Sequence, residues 1–309
     1  MTRFPLLGAF GAALFLAACG PEEPADNATG PEISEEAVEP ADVAPEMPEV
    51  ADDVPEVTLA DIVAGDHRVD ANTARDPYRH PLETLEFFGL ERDMTVLEIW
   101  PGSGFYTDIV APYVAGEGQY IAAIFDESGG QEYVLRLNKE LREKIDGNPM
   151  YGPVQYVTMG EGMYDLGPEA SVDMVLTFRN VHSWMRGGNA QDVFNAMFKV
   201  LKPGGTLGLV QHRNNPDAEQ DPKAPTGYVT EKAVIDMAEA AGFTLADKSE
   251  VNANPADTKD YEGGVWTLPP ALRGEEEDKT AYEAIGESDR MTLKFVKPET
   301  TGLAMNNAQ

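Results

Sequence analysis

Residues 95–107 read Thr-Val-Leu-Glu-Ile-Trp-Pro-Gly-Ser-Gly-Phe-Tyr-Thr, and they constrain the fold more than any other stretch of the chain. Val96, Leu97 and Ile99 make a short strand of the buried type, with Glu98 at its carboxyl end. Pro101, Gly102, Ser103 and Gly104 then turn tightly into an amphipathic helix expected from about Phe105 to Val114. A strand that passes through small residues into a helix N-terminus builds the βα corner of an open sheet. There a ligand can lie against backbone, because no Cβ holds it away.

The rest of the folded stretch alternates in the same way. Strands are expected at 94–99, 119–125, 154–159, 172–178, 206–211 and 243–251, with a last one at 291–296. Between them, helical spacing of apolar residues marks 131–145, with Val134, Leu135, Leu137 and Leu141, and 190–201, with Val193, Phe194, Met197 and Val200. A third helix, 230–241, has Thr230 as its N-cap and ends at Gly242. Alternation of this kind predicts an α/β domain with one doubly wound, mostly parallel seven-stranded sheet. The last strand lacks a clear helical crossover before it and is free to return antiparallel.

The strand–acid–turn pattern resembles motif I of the class I S-adenosylmethionine-dependent methyltransferases, which reads strand, acid, x, Gly, x, Gly, x, Gly. Gly102 and Gly104 match its second and third glycines, and Trp100 stands where the first is expected. The Trp-Pro variant is similar to a subgroup of exported methyltransferases. Leu201-Lys202-Pro203-Gly204-Gly205 matches the family's turn before strand 5, and the resemblance runs from about Asp66 to Pro298. It implies a Rossmann-like methyltransferase fold with an antiparallel last strand and S-adenosyl-L-methionine as cofactor. In its terms Glu98, Trp100, Gly102 and Gly104 border the methionine end of the cofactor. Asp126, at the end of strand 2, accepts from the ribose hydroxyls, and the Gly160-Glu161-Gly162-Met163 loop lies beside the adenine. Read without the resemblance, Asp126 also suits a solvated turn, and Met163 also suits a core.

The segment Thr177-Phe178-Arg179-Asn180-Val181-His182-Ser183-Trp184 follows strand 4, across the switch point from the glycine turn. Ligands of open α/β sheets bind there. Arg179, Asn180 and His182 bring a cation, an amide and an imidazole to one corner, and His212 ends strand 5 at the same edge. His182 and His212 are candidate bases, and Arg179 and Asn180 candidate orienting groups. No further ligands accompany the two histidines, so no metal is expected. The arm with Arg75, Tyr78 and Arg79 either caps the pocket or binds an anion. Residues 253–288, polar and rich in Gly, Pro and acids, form either a lid or a surface excursion.

The ends of the chain are of another kind. Residues 1–18 carry Arg3 and an apolar run from Leu6 to Ala18, too short to span a bilayer and typical of a signal peptide. The run closes on Leu16-Ala17-Ala18-Cys19, which looks like a bacterial lipobox. Cys19 would then be the lipidated first residue of the mature protein. That implies a cell-envelope location, on the outer membrane if the host is Gram-negative. Residues 20–57 hold 7 prolines, 13 acidic residues and no Lys or Arg, so 19–57 reads as an acidic, extended tether. The domain is expected over 58–298, with 299–309 a tail. Cys19 is the only cysteine, which excludes internal disulfides and cysteine-based zinc sites. A net charge of −31 argues against nucleic acid as a partner and leaves a small-molecule substrate.

Three functions fit these features. The first is methyl transfer to a small acceptor by a lipid-anchored, exported enzyme. The second is a ligand-binding or sensor lipoprotein on the same fold. It gains from Trp100 and from the cytoplasmic origin of S-adenosylmethionine. The third is a nicotinamide-dependent oxidoreductase, which Glu98 and the missing small residue at Thr107 disfavour. The acceptor and the oligomeric state are not written in the sequence.

Overall fold

Thr95–Ile99 (β1) lies at the centre of a sheet because every side chain from Val96 to Ile99 is buried. The computed structural model describes residues 57–275 and 278–299. Beside β1, in sequence order, run Gln119–Phe125 (β2), Gln155–Met159 (β3), Val172–Phe178 (β4), Leu201–His212 (β5), Thr244–Ser249 (β6) and Arg290–Val296 (β7). Their order is β3-β2-β1-β4-β5-β7-β6. All neighbours are parallel except β7, which runs antiparallel to both β5 and β6. The chain reverses its order of strand addition between β1 and β4, so the switch point opens above those two strands.

Strand alternation sends side chains to two separate cores. Val96, Met174 and Leu176 face a layer built with Leu85, Phe88, Ile109 and Leu141. These come from the helices Pro81–Phe88 (α4), Thr107–Val114 (α5) and Glu132–Ile145 (α6). Leu97, Ile99 and Val175 face the other layer, with Trp184, Phe194, Met197 and Val234. These belong to Val181–Gly187 (α7), Ala190–Val200 (α8) and Glu231–Ala241 (α9). The expected N-cap is made: Thr230 accepts from the Ala233 amide, and Gly242 closes α9 with φ of 108°.

Three elements differ from the sequence expectation. The Lys202-Pro203-Gly204-Gly205 turn is drawn into β5, because the Gly204 amide donates to Lys297 and the Lys297 amide donates to Gly205. The arm before β1 folds into short helices, Leu59–Val63 (α1), Asp70–Thr73 (α2), Asp76–Arg79 (α3) and α4. They are too short to show a clear period. The segment after β4, for which the pattern gives no element, winds at once into α7. Within 253–288 lie a 3-10 turn, Gly264–Thr267, and the helix Lys279–Ile285 (α10). The signal, Cys19, the tether to residue 56 and the tail from residue 300 lie outside the described residues.

Gly208 shows how tightly one layer is set. A Cβ there would meet Phe88 at 2.6 Å and Leu176 at 2.8 Å, so α4 reaches the sheet only across a bare strand. Gly208→Val should destabilise the fold by about 1–3 kcal/mol through overpacking, measured by denaturant unfolding.

Candidate functional site

A cavity of about 560 Å³ opens at the carboxyl ends of β1, β4 and β5. Its floor is the Trp100–Ser103 turn, its far wall is Phe178, Arg179 and His182, and the arm adds Arg75 and Arg79. Trp266 and Arg273, from the 253–288 stretch, complete the rim. The turn has the geometry that glycine allows. Gly102 has φ of 63° and Gly104 has φ of 85°, and nothing lies within 4 Å of where a Gly102 Cβ would stand. Space is therefore open directly above the backbone.

Glu98 closes the inner end and is 2 % exposed. It accepts from the Tyr120 hydroxyl and, at 3.1 Å, from the Thr107 hydroxyl. Burial raises its carboxyl to about 7, and the two hydroxyl donors offset only part of that rise. Among the described residues no cation lies within hydrogen-bonding reach of it, so Glu98 is a carboxyl open to a counter-charge.

Trp100 takes the position of the expected first glycine with φ of 48°, a left-handed conformation unusual for an aromatic residue. Its indole nitrogen donates to the Met159 carbonyl at 3.1 Å. The ring stacks on Phe125 at 4.7 Å and meets Trp184 edge-on at 6.0 Å. These contacts hold the strained backbone and lay an aromatic wall across the ends of β1 and β2. Tyr133 and Leu137 of α6 extend that wall.

Arginine dominates the polar lining. Arg79, 1 % exposed, and Arg75 bind Glu287 through their Nε atoms, at 3.1 and 2.6 Å. Arg290 holds the same carboxylate at 3.0 Å. Burial opposes ionisation of Glu287, but these arginines together with Arg179 outweigh it and bring its carboxyl to about 2. One terminal nitrogen each of Arg75 and Arg79 is buried without a hydrogen-bond partner. Arg179 has φ of 63°, and burial is the main cause of its lowered value of about 10. A second set of cations stands at the rim. The guanidinium carbons of Arg186 and Arg273 lie 5.2 and 5.6 Å from the Trp266 ring centre.

His182 and His212 come together, with ring centres 5.5 Å apart. Gln211 Nε2 lies 3.3 Å from His182 Nδ1, and the Ser288 hydroxyl lies 2.6 Å from His212 Nδ1. Burial pushes His182 down to about 4, and burial beside His182 and Arg179 pushes His212 well below the ordinary imidazole range. Both rings are therefore neutral at neutral pH and weak as proton acceptors. Asn180 spends its amide nitrogen on the Ile99 carbonyl at 2.7 Å, tying β4 to β1 across the switch point.

Of the residues expected at the site, Glu98, Trp100, Gly102, Arg179, Asn180, His182 and His212 line this cavity. Gly104 lies just behind the turn, where a Cβ would meet Leu141 at 3.0 Å. Asp126 and Glu161 do not line it. The Asp126 carboxylate turns to the Ser128 hydroxyl and, at 3.0 Å, the Ser128 amide, which lower its value. Glu161 and Met163 are exposed on the loop closed by the Gly160–Met163 bridge. Lining residues that escaped the sequence reading include Arg186 and Arg273, which are ordinary surface residues by pattern, and the aromatic residues Tyr106, Phe125 and Tyr133. Among the described residues, no group of three or more His, Cys, Asp or Glu is placed to hold a metal ion.

No family model matches the sequence, and no curated protein matches it. Solved structures do resemble its fold. A SAM-dependent methyltransferase from Aquifex aeolicus is 18% identical, covering 72% of this chain and 93% of its own, with a TM-score of 0.48. The cyclase SpnF is 19% identical, covering 78% and 92%, with a TM-score of 0.49. An S-adenosylmethionine-dependent methyltransferase from Mesorhizobium loti is 12% identical, covering 69% and 96%, with a TM-score of 0.43. Likenesses this distant bring no activity with them. The strand order and the antiparallel β7 make this sheet a Rossmann-like α/β fold of the methyltransferase type.

Proposed function

We propose that the chain binds S-adenosylmethionine in this cavity and transfers its methyl group to a small-molecule acceptor. We further propose that it does so outside the cytoplasm, held to a membrane by lipid on Cys19. The observation that carries the reading is one cavity lined by the open turn at Gly102, by half-satisfied guanidinium groups and by Glu98. A carboxylate placed above the turn would satisfy the free nitrogens of Arg75 and Arg79, and an ammonium would satisfy Glu98. That is the donor set an amino-acid moiety needs, so the residues fit the methionine end of the cofactor. At the other end the Trp100, Phe125 and Tyr133 rings offer faces for a purine, and Asp126 is not part of that wall.

The bound cofactor would supply an electrophilic methyl group on a sulfonium. The chain's own work is then to hold and orient. Arg75, Arg79 and Glu98 fix one end, the aromatic wall fixes the other, and Trp266 narrows the mouth against water. His182 and His212, neutral and buried, orient an acceptor by hydrogen bonding rather than by taking its proton.

The second reading is a binding lipoprotein without catalysis; Trp100 stands where the methyltransferase pattern has glycine, although its ring turns onto Phe125 and the Met159 carbonyl and leaves the space above Gly102 open. The two readings share the ligand pocket and differ in turnover. All three tryptophans lie in or against this site, so ligand binding is readable as fluorescence quenching. Titrated with S-adenosylhomocysteine, Arg75→Met should weaken binding about tenfold through loss of a charged partner. Asp126→Ala should change it by less than about threefold, since a half-buried carboxylate outside the cavity and held by Ser128 contributes little. The reverse order would place the ligand on the β2 side and overturn the assignment.

A further inference from the structure

The charge inside the cavity does not match a sulfonium ligand alone. Five arginines line it, Arg75, Arg79, Arg179, Arg186 and Arg273, and among the described residues Glu98 is the only carboxyl group in the lining. They do so in a chain of net charge −31. S-adenosylmethionine brings one carboxylate against an ammonium and a sulfonium, so it adds positive charge to a positive site. The inner arginines share Glu287, whereas among the described residues no carboxylate pairs with the outer two. Arg186 donates at 3.5 Å to the Pro225 carbonyl, and both Arg186 and Arg273 are solvent-exposed and lie over the Trp266 ring. Trp266 in turn meets the His182 ring edge-on at 5.7 Å.

We propose that Arg186 and Arg273, held by Trp266, form a recognition subsite for a second ligand, a small molecule with two or three carboxylate or phosphate groups. The proposal deepens the methyl-transfer reading and rests on it for calling that ligand the acceptor. The subsite itself stands on the arrangement of cations. Guanidinium groups packed on an aromatic ring keep their planar fork free for oxyanions while losing little side-chain freedom on binding. The ligand would reach from the rim past His182 toward the glycine turn, with Arg179 completing its charge balance. A ligand that arrives ionised also needs no base, which agrees with two histidines too buried to take a proton readily.

The test is calorimetric titration of the full chain with citrate and, separately, with pyrophosphate, at low and at raised salt. Trimethyl citrate is the uncharged control. S-adenosylhomocysteine is titrated in parallel. The proposal expects one of the two anions to bind and the neutral ester not to bind. It expects affinity to fall with salt, and to fall about tenfold or more in Arg186→Gln/Arg273→Gln. Arg273→Gln alone, on an exposed side chain, keeps the test valid if loss of Arg186 loosens the rim. Citrate against pyrophosphate separates a carboxylate ligand from a phosphate one. Anion binding without binding of S-adenosylhomocysteine would leave the subsite standing and remove the methyl-transfer reading. Failure of both anions to bind, or equal binding by wild type and the double variant, would overturn the proposal.

Discussion

Glu287→Ala should destabilise the fold by about 3–5 kcal/mol, the largest effect of any single side-chain truncation at this site. The carboxylate is buried among Arg75, Arg79 and Arg290, and its removal leaves like charges facing one another in a water-poor space. Those arginines come from α3 and its N-cap and from β7, so the same carboxylate clasps the arm to the sheet. The effect has a pH signature. The folded value is about 2, below the ordinary value of 4.5, so the stabilisation is complete above pH 4.5. It is lost as pH falls from 4.5 toward 2. Denaturant unfolding at neutral pH measures the loss, and acid unfolding should be flatter over that window in the variant. A cost under about 1 kcal/mol would mean that the arginines find solvent instead.

Glu98→Gln should act in the opposite direction on stability and against binding. The buried carboxyl titrates at about 7 in the fold and at 4.5 when unfolded, so its contribution is most favourable below pH 4.5 and declines as pH rises through 7. The decline is on the order of 3 kcal/mol from the size of the shift. Glutamine keeps an acceptor for Tyr120 and Thr107 without the buried charge. The variant should therefore gain about 3 kcal/mol over wild type between pH 4 and pH 8, measured as the change in their unfolding difference. The same change removes the counter-charge for a ligand ammonium and should weaken S-adenosylhomocysteine about tenfold or more. A site that sacrifices stability for a poised carboxyl behaves this way. A stability difference independent of pH would show that Glu98 is ionised in the free protein by some other means.

The sheet was legible because its strands are short, apolar and separated by helices of clear period. Val172–Phe178 and Gln119–Phe125 fall where the pattern puts them. The arm was not legible, since helices of four or five residues, such as α2 and α3, have no period to read, and tertiary contacts such as Arg79–Glu287 hold them. The ligand corner was legible in part. Gly102, Glu98, Arg179 and His182 lie within one short βα corner or its neighbour. Asp126 follows the strand pattern, but its side chain has a choice that spacing cannot express, and the Ser128 hydroxyl takes it. Trp266 lies in the 253–288 stretch, for which a lid is one of the two readings, whereas Arg273 reaches the cavity from the same stretch with nothing in its pattern to mark it. The depressed histidines are likewise a consequence of burial, not of residue type.

The most direct measurement is calorimetric titration of the full chain with S-adenosylmethionine and with S-adenosylhomocysteine at pH 6.5 and 8. The account predicts micromolar binding of at least one of them, corresponding to about −8 kcal/mol, with proton release at pH 6.5 as Glu98 ionises beside the ligand. A folded protein that binds neither compound at millimolar concentration would contradict it.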